Sequence, residues 1–510
     1  MFDSLFLGLT AILEWQNILA MAAGVIGGVL AGAVPGLSAT MAVALLLPLT
    51  YGLSPLFALG LMAGMHNGAA YGGSIPAILL RIPGTPAAVA TTFDGYPLAQ
   101  SGRVAHALKV SVLSSAVGGV VSAIALMLIA PPLADIALRF GPPEIFWVSV
   151  FGVASTAVLM GKDPVKGMMA GCIGLFLGMI GLDHVTGVDR YTFGLLQLSG
   201  GLPLPIVLMA LFGVPAAWMM AEKAPGSGLD VRGLDLKREG DRLRDWPWRD
   251  ILPAWLRGSS IGVFIGILPG LGGAVSSIVA YGSQKQASKD PESFGKGNTS
   301  GVAVAECANN ADNAASMIPA LTLGIPGSGV AAIVLAGLLI HGFESGPQLF
   351  TDHAETVFGY IWAMMFTSIM LVLIGGGLAT RLFAQVLRTP PMIMMPIVVG
   401  LAVVGTYTYE NNIFNVYLLF GLGFLGYALD RLSFPVAPVI LGLFLGPKIE
   451  YNLRVSLLIS QDDPSIFWTR PISIGFALAT FLVIFYPLFR TGTAWLCRSW
   501  KAGRAARLPR

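Results

Sequence analysis

An eleven-residue stretch occurs twice in this chain, and it limits the folds open to the sequence. The first copy, at 75–85, reads IPAILLRIPGT, and the second, at 318–328, reads IPALTLGIPGS; seven of the eleven positions are identical. An earlier pair of segments, GVLAGAVPGL at 28–37 and GVFIGILPGL at 262–271, repeats in the same order. The offset is 234 residues for the earlier pair and 243 for the later pair. Two ordered matches at a nearly constant offset indicate an internal duplication.

Both duplicated elements place a Pro-Gly pair inside apolar sequence, and we call these four pairs the Pro-Gly breaks. Proline removes a backbone donor and clashes with the preceding turn, while glycine loosens the chain that follows. In a bilayer, broken backbone is tolerated only where it is buried in protein or lines a watery cavity. Broken apolar segments at corresponding places in two halves are typical of the binding site of a secondary transporter.

The composition indicates a membrane protein. The chain has 510 residues, of which 55% are hydrophobic and 11% are charged, whereas soluble domains carry about 25% charged residues. Its apolar runs suit spanning helices and lack the short alternating pattern of barrel strands. We therefore predict an all-α polytopic fold with about 10–12 transmembrane helices, some of them broken or re-entrant. The net charge of +3 does not indicate nucleic acid, and three separated cysteines indicate neither disulfides nor a metal site.

The longest polar stretch, residues 222–250, lies near the middle of the chain and holds seven Lys/Arg and seven Asp/Glu. We predict a first membrane repeat half at 1–221, a cytoplasmic linker at 222–250, a second half at 251–490 and a basic cytoplasmic tail at 491–510.

The distribution of basic residues predicts the orientation of the chain. The loop with Arg103, the linker and the basic tail are predicted to face the cytoplasm, whereas the loop at 341–355, which has no Lys or Arg, is predicted to face outward. The loop with Arg103 follows the first Ile-Pro-Gly copy, and the loop at 341–355 follows the second. Because these two loops are predicted to face opposite sides, the two repeats are predicted to be inverted. The first basic residue is Arg81, so the sequence predicts no cleavable signal peptide.

Polar residues within membrane sequence are costly and mark candidate sites. Aligning the copies at an offset of 243 places Asn67 opposite Asn310. The N-termini of half-helices suit carboxylates, and unwound carbonyls with Asn, Asp and Thr oxygens suit a sodium ion, which is one candidate for the coupling ion beside the proton. The candidate substrate- and ion-binding residues flank the breaks: Pro35, Gly36, Ser38, Thr40, Asn67, Gly73, Ser74, Pro83, Gly84, Thr85, Asp94, Pro269, Gly270, Glu306, Asn309, Asn310, Pro326, Gly327 and Ser328.

Each of these features also has a purely structural interpretation. The Pro-Gly breaks can be packing kinks, and Ser or Thr in a membrane helix commonly bonds its own backbone. Gly73 can allow close helix packing. Asp94 can cap a loop, and Glu306 can be a carboxyl group paired locally. Arg81 can attract an anionic substrate or extend to the surface.

Several motifs resemble the large membrane subunit of the tripartite tricarboxylate transporters. They are VPGLSAT at 34–40, YGGSIPAIL at 71–79, PGT at 83–85, TFDG at 92–95, GILPGLG at 266–272, FGKG at 294–297, ECANNA at 306–311 and LGIPGS at 323–328. The resemblance extends from about residue 15 to 490, and its motifs follow in the expected order.

The resemblance implies a permease of the bacterial inner membrane that imports tricarboxylates or related carboxylates by symport with sodium or protons. Its expected partners are a small four-helix membrane subunit and a periplasmic solute-binding protein. The polar motif positions of the family fall here on Asn67, Ser74, Thr85, Asp94, Glu306, Asn309, Asn310 and Ser328. Arg81 and the pair Asp312-Asn313 depart from the family pattern, so citrate is not assumed as the substrate.

Two other functions stay open at this stage. A passive anion channel would share the apolar composition. An intramembrane enzyme would use Asp94 or Glu306, but the sequence lacks a nucleophile–base pair or a set of metal ligands. There is no GxxxxGK[ST] motif, so we do not expect this chain to use ATP. We predict a transporter rather than an enzyme, with no cofactor apart from the coupling ion.

Overall fold

A computed structural model describes residues 2–34, 37–159, 163–183, 185–222, 243–376 and 391–485. Within these ranges the regular structure is helical, apart from a short antiparallel ribbon of β1 (Gly181–Leu182) and β2 (Asp189–Arg190). Among the described residues, four helices are long and apolar enough to cross a membrane: Trp15–Ala33, Val104–Ala137, Ala354–Gly375 and Ile413–Arg431. Six further apolar helices are shorter. The predicted all-α polytopic membrane fold is confirmed.

The helices follow one another with short connections. Before the ribbon they are α1 (Phe2–Ile12), α2 (Trp15–Ala33), α3 (Ala39–Leu46), α4 (Pro55–Gly72), α5 (Ser74–Leu80), α6 (Thr91–Gln100), α7 (Val104–Ala137), α8 (Pro142–Leu159) and α9 (Pro164–Gly178). Between the ribbon and residue 315 they are α10 (Leu204–Leu208), a π-helical turn (Met209–Gly213), α11 (Val214–Ala221), α12 (Trp248–Ile267), α13 (Gly272–Ala287) and α14 (Thr299–Ala315).

The later helices are α15 (Met317–Leu323), α16 (Gly329–Ile340), α17 (Leu349–Asp352), α18 (Ala354–Gly375), α19 (Pro391–Glu410), α20 (Ile413–Arg431), α21 (Val436–Ile459), α22 (Ile466–Thr469) and α23 (Pro471–Phe485). Proline determines several boundaries. Helix α2 ends at Ala33, shortly before Pro35, and α12 ends at Ile267, shortly before Pro269, because a residue that precedes proline disfavours the helical conformation.

The chain divides into two compact units. The larger comprises Met1–Arg139 and Pro203–Leu432, and the smaller comprises Phe140–Leu202 and Ser433–Arg510. The division into two repeat halves joined by a cytoplasmic linker stays a prediction. Most of that linker, residues 223–242, and the basic tail lie outside the described residues.

In the larger unit, each repeat begins with two helices whose backbones are in contact. A Cβ atom added at Gly28 of α2 would lie 2.4 Å from the carbonyl oxygen of Met65 in α4. In the second repeat, a Cβ atom added at Gly262 of α12 would lie 2.5 Å from the carbonyl oxygen of Ala308 in α14. Gly28 and Gly262 correspond at the offset of 234. Small residues at such contacts let membrane helices approach closely. The duplicated sequence therefore forms a closely packed pair of helices in each repeat.

The smaller unit packs α8 and α9 against α21. Gly174 of α9 leaves space for the carbonyl oxygen of Val439, which would be 2.0 Å from an added Cβ atom. The buried carboxylate of Glu144 accepts hydrogen bonds from Arg470 at 2.7 Å and from Ser473 at 3.0 Å. These bonds fasten the start of α8 to the segment around α23.

Candidate functional site

The first Ile-Pro-Gly copy forms a hairpin, which we call the first hairpin (73–85). Helix α4 gives way at Gly73 to the short helix α5, and the chain then reverses at Arg81, whose φ of 59° is left-handed. The N–H of Ile82 donates to the carbonyl of Pro76 at 3.3 Å. The N–H of Gly84 donates to the carbonyl of Gly73 at 3.0 Å. The end of the hairpin at Gly84, which we call its closing end, is therefore bound back to Gly73, where the helix breaks.

The second copy forms the same structure, the second hairpin (316–328). Helix α14 gives way at Ser316 to α15, and the reversal falls at Gly324 with a φ of 69°. Ile325 donates to the carbonyl of Pro319 at 3.2 Å, and Gly327 donates to the carbonyl of Ser316 at 3.2 Å. Every one of these bonds corresponds to its counterpart at the offset of 243.

Arg81 corresponds to Gly324 of the second hairpin but carries a charged side chain. It adopts the left-handed conformation that Gly324 adopts in the second hairpin, and a side chain disfavours this conformation. Its guanidinium lies over the ring of Tyr96, 5.8 Å from the centroid, and the residue is exposed. Arg81 therefore extends to the surface of the larger unit.

The closing end of each hairpin packs closely against the long helix that precedes the earlier break of the same repeat. A Cβ atom on Gly84 would lie 2.2 Å from the carbonyl oxygen of Gly32. A Cβ atom on Gly327 would lie 2.9 Å from the carbonyl oxygen of Gly266. The N–H of Gly270 also donates to the carbonyl of Gly327 at 3.0 Å. The two breaks of the second repeat, Pro269-Gly270 and Pro326-Gly327, are thus joined directly, whereas Pro35 and Gly36 lie outside the described residues.

The repeats also pack against each other reciprocally. Helix α3 of the first repeat meets the start of α16, where a Cβ atom on Gly329 would lie 3.0 Å from Cγ2 of Thr40. Helix α13 of the second repeat meets the turn Pro86–Val89, where the Ser277 hydroxyl donates to the carbonyl of Ala87 at 2.8 Å. In each case, the helix that follows the earlier break of one repeat contacts the segment that follows the hairpin of the other.

Helix N-termini lie at the first of these contacts. Ser38 caps α3, since its hydroxyl accepts a hydrogen bond from the N–H of Met41 at 3.2 Å. Ser328 caps α16, since its hydroxyl accepts from the N–H of Ala331 at 3.2 Å and contacts the Ser316 hydroxyl at 3.1 Å. The N-terminus of a helix carries a partial positive charge and free N–H groups. Their meeting favours an anion at this position.

Thr85 is buried beside the first hairpin break, and its hydroxyl has no hydrogen-bond partner among the described residues. A Cβ atom on Gly73 would lie 2.4 Å from this hydroxyl oxygen. The glycine therefore leaves room in front of Thr85 that any side chain would fill. A buried hydroxyl ordinarily finds a partner, so Thr85 is a candidate ligand-binding group.

A chain of amides joins the repeats deeper in the larger unit. Asn67 donates to the hydroxyls of Thr367 at 2.8 Å and Ser368 at 3.0 Å. Its Oδ1 accepts from the amide of Asn313 at 2.9 Å, and that amide also lies 3.5 Å from Oδ1 of Asn310. The aligned pair Asn67 and Asn310 is therefore brought together through Asn313.

Glu306 is buried next to this chain. Its carboxylate accepts hydrogen bonds from the hydroxyl of Thr91 and from the hydroxyl of Ser115 at 3.0 Å. Ser74 contacts Ser111 of α7, with 2.7 Å between their hydroxyl oxygens. Glu306 and Ser74 thus both bond to α7, where the first hairpin meets α14.

Asn309 lies on another side of α14. Its amide donates to the carbonyl of Ala70 at 3.3 Å, and its Oδ1 would be 2.7 Å from a Cβ atom added at Gly273. Asn309 therefore lies between α4 of the first repeat and α13 of the second.

Asp94 binds the backbone of the loop at 295–298. One carboxylate oxygen accepts from the N–H groups of Gly295 at 2.8 Å, Gly297 at 2.9 Å and Asn298 at 2.8 Å. The other accepts from the hydroxyl of Tyr281 at 2.8 Å. Both oxygens are thus engaged by the loop that precedes α14 and by α13, which agrees with the capping interpretation of this residue.

Two functional candidates were not selected from the sequence. Asn313 links Asn67 to Asn310, and Asp312 is buried with one carboxylate oxygen unpartnered among the described residues. The spacing of Glu306, Asn310 and Asn313 places all three on one helix face, which is the signal that could have identified Asn313. For Asp312, the sequence signals were an ionisable side chain within membrane sequence and the departure from the family pattern.

A cavity of about 310 Å³ lies elsewhere, within the smaller unit. Arg190 and Glu450 line it and pair through two hydrogen bonds of 2.8 and 3.0 Å, while Arg454 bonds Asp183 at 3.0 Å. The hydroxyl of Thr186 is the main cause that holds the pKa of Asp183 well below its usual range. Because these charges compensate one another, we do not assign the substrate to this cavity.

Paired half-helices, duplicated hairpins and buried polar groups within an all-α multi-pass fold define a membrane protein of the transporter class. The chain matches the Tripartite tricarboxylate transporter TctA family over residues 18–441, and it belongs to that family. The chain is thus the permease component of a tripartite transporter system rather than a member of an enzyme family.

Two proteins of Agrobacterium vitis are similar to this chain. One, described as an uncharacterized 52.8 kDa protein in the TAR-I ttuC′ 3′ region, is 34% identical over 495 residues, which cover 96% of this chain and 97% of the relative. The other, described as an uncharacterized protein in the TAR-II ttuC′ 3′ region, is 36% identical over 233 residues, which cover 45% of this chain and 96% of the relative. No solved structure matches the chain.

Proposed function

We propose that this chain imports tricarboxylates or related carboxylates across the bacterial inner membrane, coupled to a sodium or proton gradient. It works with a small four-helix membrane subunit and a periplasmic solute-binding protein. Its repeats are inverted and its C-terminus is cytoplasmic. The observation that carries this proposal is the reciprocal contact of the two repeats at the helix N-termini beside the duplicated hairpins.

A carboxylate is the ligand that this contact suits. The N-termini of α3 and α16 supply free N–H groups and partial positive charge where Thr40 meets Gly329. The start of α13 supplies the same groups where Gly273 meets Ala87, since a Cβ atom added at Gly273 would lie 3.2 Å from Cβ of Ala87. A substrate with two or more acid groups has one carboxylate for each of these points.

Hydroxyl groups complete the proposed site. Thr85 offers a buried hydroxyl that the protein leaves unpartnered within the described part of the chain. Ser328, its counterpart at the offset of 243, caps α16. Hydrogen bonds from hydroxyls to a carboxylate are charge-assisted and stronger than neutral ones. Thr85 and Ser328 are thus the donors we assign to the two hairpins.

The hairpins also supply a way to alternate access. Each is a short helix held to the preceding long helix by few backbone hydrogen bonds, such as that from Gly84 to Gly73 and that from Gly327 to Ser316. Rocking of one repeat against the other about a central site is the usual motion of inverted-repeat transporters. In the proposed cycle, one pair of contacts opens while the other stays closed.

Uptake by the reconstituted complex tests this function. Proteoliposomes would contain the chain with its membrane partner and binding protein, and a panel of labelled dicarboxylates and tricarboxylates would be offered with and without an inward sodium or proton gradient. Accumulation of one carboxylate above its external concentration is the expected result. Equilibration without accumulation would indicate a passive channel instead, and no movement of any carboxylate would overturn the substrate class.

A further inference from the structure

Asp312 differs from the other buried acids of the larger unit. It lies in α14 with 4% of its surface exposed, and its Oδ1 has no hydrogen-bond partner among the described residues. No ion pair to it occurs in the same part of the chain. Glu306 and Asp94, by contrast, each accept hydrogen bonds on both carboxylate oxygens.

Packing does not explain this carboxylate. At the offset of 243 its counterpart is Ala69. A Cβ atom on Gly32 would lie 2.9 Å from Cα of Ala69, and a Cβ atom on Gly266 would lie 3.1 Å from Cα of Asp312. The first repeat therefore makes the same helix contact with an alanine. Only the second repeat carries an acid at this position, and a duplicated site that differs in one carboxylate is functionally asymmetric.

Backbone hydrogen bonds connect Asp312 to both breaks of the second repeat. Its carbonyl accepts from the N–H of Ser316 at 2.9 Å. The carbonyl of Ser316 accepts from Gly327 at 3.2 Å, and that of Gly327 accepts from Gly270 at 3.0 Å. Asp312 thus lies one helical turn before the second hairpin and two hydrogen bonds from Gly327 at its closing end. A change of charge at Asp312 occurs next to the segment that moves in the proposed cycle.

The titratable groups nearest in register to Asp312 lie on α14 and α4. Glu306 and Cys307 are five and six residues earlier on α14. On α4, Asn67 and Ala70 bond to Asn313 and Asn309, so His66 and Tyr71 lie at a similar level. None of these four groups is a cation that pairs with Asp312.

The remaining helices packed against α14 present charges only at a distance. Helix α12 contacts Asp312 at Gly266, and Arg257 is nine residues from that contact, roughly 13 Å along the axis. Helix α13 contacts α14 at Gly273, and Tyr281 is eight residues from that contact, roughly 12 Å along the axis. On α7, Lys109 and Asp135 are nine and thirteen residues from the contacts at Gly118 and Ser122, roughly 13 and 20 Å.

Two further helices complete these surroundings. Helix α6 carries Asp94, which is engaged by the loop at 295–298, and Tyr96, whose ring lies under Arg81. Helix α15 has no titratable residue. Within the described part of the chain, the surroundings of Asp312 therefore offer no countercharge close by.

An ionised carboxylate in such surroundings is costly, because burial removes its hydration without replacing it. One proton removes the charge and converts the group into a hydrogen-bond donor. A bound metal cation would also neutralise the charge, but it would need several oxygen ligands, whereas a proton needs only the carboxylate itself. A lone carboxyl with an unpartnered oxygen suits a proton.

We propose that Asp312 is the site that carries the coupling proton, an inference that rests on the proposed function. A proton passes from external water to a carboxylate oxygen of Asp312 while the site is open outward. The same proton passes to cytoplasmic water after the second hairpin has moved. No bond to the carboxylate substrate forms or breaks. Asp312 is protonated, and therefore neutral, while the second hairpin moves.

Asp312→Asn tests this proposal, because asparagine keeps the shape of the side chain and cannot exchange a proton. In proteoliposomes with the complete complex, we expect the variant to lose accumulation driven by a proton gradient. It keeps counterflow, the exchange of labelled for unlabelled carboxylate at equal concentrations, which needs no net proton movement. Asp135→Asn, which removes an exposed acid on α7, is the matched control and keeps both activities.

The outcomes separate this proposal from the proposed function. If the wild-type complex moves no carboxylate, the function itself is wrong. If the wild-type complex shows proton-driven accumulation and Asp312→Asn shows it equally, the function stands and the role of Asp312 is overturned. Accumulation that only a sodium gradient drives would also overturn it, since the coupling ion would then not be a proton.

A second measurement does not depend on transport. The infrared difference spectrum of the purified wild-type protein between acid and alkaline pH is expected to contain the carbonyl stretch of a protonated carboxyl group that is absent in Asp312→Asn. The thermal midpoint of the variant is expected to equal or exceed that of the wild type, because a buried acid has been neutralised. Identical infrared spectra for the two proteins would contradict the proposal.

Discussion

The side-chain amide of Asn313 donates to Oδ1 of Asn67 at 2.9 Å, and this bond joins the two repeats. The same Asn67 donates to the hydroxyls of Thr367 and Ser368 on α18. Three helices therefore share one buried amide. Networks of this kind specify how helices pack, and a partly satisfied network is costly.

Replacing Asn67 by alanine is expected to destabilise the larger unit. It removes the acceptor of the Asn313 amide, and a buried unsatisfied donor costs about 1 to 3 kcal/mol. The hydroxyls of Thr367 and Ser368 lose the Asn67 donor but still bond carbonyls of α18. The thermal midpoint of the purified protein in detergent would measure the loss. Asn452→Ala is the control, since among the described residues the amide of Asn452 bonds only the carbonyl of Lys448 in its own helix. Equal shifts in the two variants would contradict a role for Asn67 in joining the repeats.

Asp94→Ala is expected to release the loop at 295–298. Three backbone N–H groups would lose their charged acceptor, and a hydrogen bond to a charged group contributes roughly 1.5 to 3 kcal/mol. Because the exposed Lys296 lies within this loop, trypsin should cleave the variant there faster than the wild type.

Asp290→Ala, a change in the neighbouring loop, provides the control for that proteolysis. Unchanged cleavage of Asp94→Ala combined with lost uptake would show instead that Asp94 acts on the ligand or the ion, as the family motif implies.

Alanine in place of Gly84 or Gly327 is expected to displace the closing end of the hairpin that carries it. A Cβ atom on Gly84 would lie 2.2 Å from the carbonyl oxygen of Gly32, and one on Gly327 would lie 2.8 Å from that of Ser316. Overpacking of this kind costs about 1 to 3 kcal/mol, with the larger effect expected at Gly84. Thermal midpoint and uptake would both fall relative to Gly282→Ala, where nothing lies within 4 Å of the added atom. Wild-type thermal midpoints and uptake in both variants would mean that close packing at these two glycines is not required.

The hydrogen bonds that Asp183 accepts predict a pH dependence for the loop at 181–202. The pKa of Asp183 is lowered mainly by the Thr186 hydroxyl and the Val185 N–H. A lowered pKa in the folded state stabilises the loop above the ordinary value of about 3.9, and the stabilisation is lost as the pH falls below it. Hydrogen-exchange protection of the loop should therefore decline below about pH 4.

In Asp183→Asn, protection of this loop should already be lower at neutral pH and should depend less on pH. Asp189→Asn is the matched control in the same loop, because Asp189 accepts from Ser199 alone among the side-chain hydrogen bonds described there. A loop whose protection is the same in Asp183→Asn and Asp189→Asn at every pH would contradict the account.

The sequence was sufficient to predict the local structure of the breaks. Proline and glycine act on the residues next to them, so the two copies form the same bonds, such as those from Gly84 to Gly73 and from Gly327 to Ser316. It also predicted the relation of Asn67 to Asn310, although only through Asn313.

Contacts between distant segments could not be predicted in this way. Which face of α3 meets α16 depends on helix register, which no local pattern encodes. Asp94 is held by a loop about 200 residues later in the chain, and the loop's glycines give no sign of that partner. The assembly of α8 and α9 with α21 likewise has no motif.

The central claim is that a carboxylate binds at the duplicated hairpins, and Thr85→Val tests it most directly. Valine keeps the shape of threonine and removes a hydroxyl that has no protein partner in the described part of the chain. The measurement is the initial rate of carboxylate uptake against concentration, with Thr408→Val as control because the Thr408 hydroxyl is exposed and bonds its own helix.

We predict that Thr85→Val raises the half-saturating concentration by about tenfold or more, since a hydrogen bond to a charged group contributes roughly 1.5 to 3 kcal/mol. The thermal midpoint should not fall, and Thr408→Val should behave as the wild type. An unchanged half-saturating concentration in Thr85→Val would contradict the claim that the substrate binds at the first hairpin.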